Sequence, residues 1–69
     1  MDAQYAAWLD MVREAITIRN DIMQTGEMAT KTRVENVLME RHGMDRYDAH
    51  NIMNYIERRN YRTVAQVTP

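Results

Sequence analysis

The chain has 69 residues, no cysteine, a formal net charge of -1 and 45% hydrophobic residues, which excludes disulfide staples, thiolate metal sites and a disordered chain. So short a domain buries only about 60% of the surface its unfolded form exposes, and its core alone supplies roughly 3–5 kcal/mol. Mean hydropathy of -0.65 is too polar for a bilayer-embedded chain, and a charge near zero exerts no overall pull toward nucleic acid or an anionic membrane.

The expected fold is all-α: one small three-helix domain over residues 1–69, with a short extended tail. Two glycines, Gly26 and Gly43, divide stretches rich in Ala, Met, Leu, Glu and Arg, all good helix formers. The first helix is expected at about 3–24, with Asp2 as N-cap and Gly26 just past its end. A shorter second helix is expected at about 33–42. Thr32 and Glu35 have the spacing of a capping box ahead of Val34, Val37 and Leu38. Residues 27–31 fit either a loop or an early helical turn. The third helix is expected at about 46–61, with Asp45 as N-cap and Asp48 favourably placed at the positive end of the helix dipole. Residues 63–69 have no helical period.

At about 100° per residue, Ala49, Ile52, Met53 and Ile56 form a core stripe of ordinary width on the third helix. The first helix is wider. Tyr5, Leu9, Val12, Ile16 and Met23 make one stripe, and Trp8, Met11, Ala15, Ile18 and Ile22 a second beside it. The second stripe alternates spacings of three and four, as a helix–helix seam does. Two short helices are not expected to cover both stripes. Trp8, Met11, Ala15, Ile18, Arg19 and Ile22 are therefore the expected oligomer interface. Arg19 stands inside this arc, where it must snorkel, pair with a carboxylate or meet a partner.

On the outer side of the third helix, Tyr47, Asn51, Asn54, Arg58, Tyr61 and Arg62 recur at spacings of three and four without an Asp or Glu. Tyr and Arg join large contact area to polar handles and are enriched at binding hot spots. These six residues are the expected partner-binding face. The charge is also polarised. Residues 1–30 carry two basic and five acidic side chains, and residues 31–69 carry seven and five.

Nothing in the chain points to catalysis. It has no G-x-S-x-G, no Gly-rich phosphate loop and no H-E-x-x-H. His42 and His50 bracket Asp45 and Asp48, but both acids are better used as helix-start residues. No cofactor, metal, membrane or small-molecule substrate is expected. Neither a basic leader nor an apolar run long enough for a span is present, so the cytoplasm is the expected compartment. Residues 37–52, V-L-M-E-R-H-G-M-D-R-Y-D-A-H-N-I, resemble a helix-turn-helix in outline, with Gly43 at the turn. They depart from it at Met39, where a small residue is normal, and at Asp45 and Asp48, which would face phosphates.

Two functional expectations follow. The first is a regulatory, adaptor or inhibitor protein acting through protein–protein contacts, with a protein partner or a second copy of itself bound through the first helix. A phage or mobile-element accessory protein is one expected form of this first reading. The second is a nucleic-acid-binding regulator that reads through the outer face of the third helix.

Overall fold

Asp2 begins the first helix as its position implies, its carboxylate accepting from the Gln4 backbone N–H at 3.0 Å. This helix, α1, runs Ala3–Gln24. It closes where the Thr25 hydroxyl donates to the Ile22 carbonyl at 2.6 Å and Gly26 turns to a φ of 83°, a left-handed conformation that glycine adopts without strain. The structure, a computed structural model, describes residues 2–59. The expected last turn of the third helix at 60–61 and the tail at 63–69 lie outside the described residues.

The second helix, α2, runs Lys31–His42, two residues longer at its start than the sequence suggests. Its N-cap is Thr30, not Thr32, and the Thr30 hydroxyl accepts from the Arg33 N–H at 3.2 Å. The expected capping-box partner, Glu35, is buried instead of reaching back to the helix start. Gly43 ends α2 at a φ of 64° and donates its N–H to the Met39 carbonyl at 3.0 Å. The third helix, α3, runs Arg46–Arg59, and Asp45 caps it by accepting from the Asp48 N–H at 2.8 Å.

The three helices form a single core, each packed on the other two. Val34 and Leu38 of α2 and Ala49, Ile52, Met53 and Ile56 of α3 close on Val12, Ala15, Ile16, Ile18 and Ile22 of α1. This corrects the expectation that the second stripe of α1 stays open. Ala15, Ile18 and Ile22 are inside the chain's own core. Because α2 and α3 lie side by side and both contact α1, their combined width spans the arc that one helix alone would leave open.

The ends of α1 behave differently. Its 22 residues reach about 33 Å at 1.5 Å each, whereas the 12 of α2 and the 14 described residues of α3 cover about 18 and 21 Å. Tyr5 and Met23, expected in the first stripe, sit near those ends and are each 49% exposed. Among the described residues no helix is long and apolar enough to cross a membrane.

Candidate interaction surface

Positions 47, 51 and 58 of α3 point away from its buried positions 49, 52, 53 and 56. Tyr47 is 73% exposed, and Asn51 and Arg58 are exposed along the same side, about one and three turns further on. Asn54 is drawn toward α2, where its side-chain oxygen accepts from the Lys31 ammonium. Lys31 also pairs with Glu57 at 3.2 Å. Tyr61 and Arg62, the other two residues expected on this face, lie outside the described residues.

The flank of that face carries a group that periodicity alone does not single out. Tyr55 turns toward α1 and meets Trp8 edge to face, with ring centroids 4.5 Å apart and planes at 80°. Trp8 in turn lies nearly parallel to Tyr5, centroids 6.4 Å apart at 21°. The Arg59 guanidinium caps the row, 4.3 Å above the Tyr55 ring centre. Edge-to-face and offset arrangements of this kind are the ones the aromatic quadrupole favours, and a cation over the ring face is attracted by the same charge distribution. Trp8 and Tyr55 are half-buried and Tyr5 is exposed, so the row is a surface feature anchored at its inner edge. The i,i+4 spacing of Tyr55 and Arg59 is a local signal for their contact. Contact between Trp8 and Tyr55 leaves no such signal.

The two guanidiniums of the last described α3 turn share with Arg41 of α2 the lack of a carboxylate partner among the described residues. Arg13 pairs with Asp10 at 3.5 Å, Arg33 with Glu27, and Arg46 with Glu35 at 3.1 Å. Among the described residues Arg58 has no ion-pair or hydrogen-bond partner, and Arg59 contacts only the Tyr55 ring. Both fall in the last described turn of α3, where the side of the helix toward its C-terminus is favourable for basic side chains.

The residues expected to form an oligomer interface on α1 do not make one surface. Trp8 and Met11 are half-buried, whereas Ala15, Ile18 and Ile22 belong to the core. Arg19 is half-buried, donates from Nη1 to the Asn20 side-chain oxygen at 3.2 Å, and lines an open hollow with Ala29, Lys31, Met53 and Glu57.

A second polar cluster joins α2 to α3. The Glu35 side chain is only 5% exposed. One of its oxygens accepts from Arg46 Nη1 at 3.1 Å, and the other lies 3.0 Å from His50 Nδ1. Arg46 also donates to the Asn36 side-chain oxygen at 2.7 Å. A buried carboxylate tolerates its loss of water only when paired and hydrogen-bonded in this way. His42 goes elsewhere, its Nε2 lying 2.8 Å from the Glu14 carboxylate on α1. The two histidines thus serve different helix pairs, and Asp45 is engaged as a cap. Among the described residues no three His, Asp or Glu side chains converge as metal ligands.

Compared with family models, curated proteins and solved structures, the chain matches none.

Proposed function

We propose that this protein is a small regulatory or adaptor protein, an inhibitor being one form of it, that works by binding another protein through the outer face of α3. The observation that carries this reading is Tyr47, 73% exposed on a face shared with Asn51 and Arg58. A large ring held in water gains apolar burial only when a partner covers it. Tyr and Arg together supply the area and directed hydrogen bonds typical of binding hot spots.

A second copy bound through α1 draws less support, because Ala15, Ile18 and Ile22 already serve the chain's own core. The nucleic-acid reading also weakens. Asp45 and Asp48 occupy the start of α3, and Arg46 is spent on Glu35 and Asn36. That end of the helix therefore offers little positive charge to phosphates.

Co-purification of the tagged chain from its native host, with and without nuclease, tests the reading against a Tyr47→Ala/Arg58→Ala variant. The expected result is a protein partner that survives nuclease and is lost with the variant, while the Tm stays within a few degrees of the parent. A partner that disappears on nuclease treatment, or that the variant retains, overturns it.

A further inference from the structure

Resting on the protein-binding reading above, we infer that the Tyr5–Trp8–Tyr55–Arg59 row and the adjoining Arg58 form a docking site for an acidic segment of the partner, one with an apolar side chain among its carboxylates. Charge complementarity selects this occupant. Other α3 cations are bonded in place, Arg46 to Glu35 and Asn36, but Arg58 is unpaired among the described residues and Arg59 rests on a neutral ring. Glu57 beside them is engaged by Lys31. Asp48 is the acid of α3 without a basic partner among the described residues, and ten residues of helix, about 15 Å, separate it from Arg58. A planar guanidinium takes a carboxylate through two parallel hydrogen bonds, and Arg59 can keep its contact with the Tyr55 ring while doing so.

The row next to those cations supplies the apolar half of the site. Tyr5 is half exposed, and Trp8 and Tyr55 are only partly buried. A Leu or Phe of the partner laid across these rings would bury them. The carboxylates on either side of it would then reach Arg58 and Arg59. A basic or polyphosphate ligand fits less well. The first would meet two like charges, and the second would find only these two uncommitted guanidiniums among the described residues of α3.

Trp8 is the only tryptophan in the chain and lies within the site, so its emission reports occupancy directly. The probes are three: a mixed pool of 16-residue peptides built from Asp, Glu, Leu, Phe and Ser, a matched pool with Lys and Arg in place of the acids, and a single-stranded oligothymidine of equal length. The acidic pool is expected to shift Trp8 emission saturably, and the other two to leave it unmoved. Arg58→Gln/Arg59→Gln should weaken the acidic pool at least tenfold with unchanged far-UV dichroism, and Arg58→Lys/Arg59→Lys should recover part of the loss. A response to the oligothymidine instead overturns both this site and the protein-binding reading. Silence toward all three probes, or acidic binding that the Gln variant keeps, overturns the acidic site alone and leaves the Tyr47 face to be judged by its own test.

Discussion

Trp8 of α1 and Tyr55 of α3 meet edge to face, with ring centres 4.5 Å apart, and this contact ties the N-terminal turns of the long helix to the end of the last one. Such pairs contribute about 0.5–1.5 kcal/mol beyond the area they bury. In a double-mutant cycle with Trp8→Leu and Tyr55→Leu, urea unfolding followed by circular dichroism should return a coupling energy in that range. A coupling indistinguishable from zero would show that the rings are neighbours without being partners. Either single variant should also weaken occupation of the surface they build.

Glu35 gives the second prediction. Its carboxylate is buried while its partners Arg46 and His50 are roughly half exposed, so each single bond is partly screened and worth about 1 kcal/mol. Removing both partners is different in kind, because a buried carboxylate is then left with neither. Arg46→Met/His50→Leu should destabilise by about 3 kcal/mol or more, most of what a chain this small possesses. Glu35→Leu, which removes the buried charge itself, should be much milder. Urea midpoints of the two variants decide the matter, and equal loss in both would contradict this account of the cluster.

Ile18 lies in the core at 2% exposure. Ile18→Asp should therefore abolish the folded state, since an isolated buried carboxylate is far more costly than this core can offset. Ile18→Ala should lower stability by about 2–5 kcal/mol. Sedimentation and far-UV dichroism separate this from an interface role. A variant that stayed helical and merely changed its oligomeric state would place Ile18 on a surface.

The start of α2 can be located by the hydroxyl that caps it. Thr30→Ala should lower stability by about 0.5–2 kcal/mol, because the Arg33 N–H loses its acceptor. Thr32→Ala removes no cap and should change stability by a few tenths at most. The reverse order, read as Tm shifts, would restore the capping box at Thr32.

Most of the fold is legible where the signal is local. Asp2, Gly26, Gly43 and Asp45 mark helix ends because capping needs only residues within one turn. The core stripe of α3 follows from period alone, and all four of its residues are buried. Thr32 and Glu35 mislead because the capping-box spacing is real but Glu35 also falls beside Val34 on the inward side. There, pairing with Arg46 and His50 outweighs a reach back to the helix start. The width of α1's apolar arc is legible too, but not how much of it two adjacent helices cover, since that depends on their joint placement. Of the candidate surface, Tyr47, Asn51 and Arg58 follow from period. Asn54 does not behave as its spacing implies, because Lys31 approaches from another helix. The Tyr5–Trp8–Tyr55 row depends on the path of the whole chain.

That dependence has a consequence for when the surface exists. The α2–α3 hairpin joins through a three-residue turn, and its Glu35–Arg46 bond closes a short loop. Trp8 and Tyr55 come from near the two ends of the described chain, so bringing them together closes the longest loop of any contact named above. A nascent or partly unfolded chain presents Tyr55 without its companion and has no complete row to offer. Recognition through this row would thereby be gated on finished folding, and a target built to engage these rings would discriminate against incomplete molecules with no separate checkpoint. In a refolding experiment, the Trp8 signal should lag the recovery of helix.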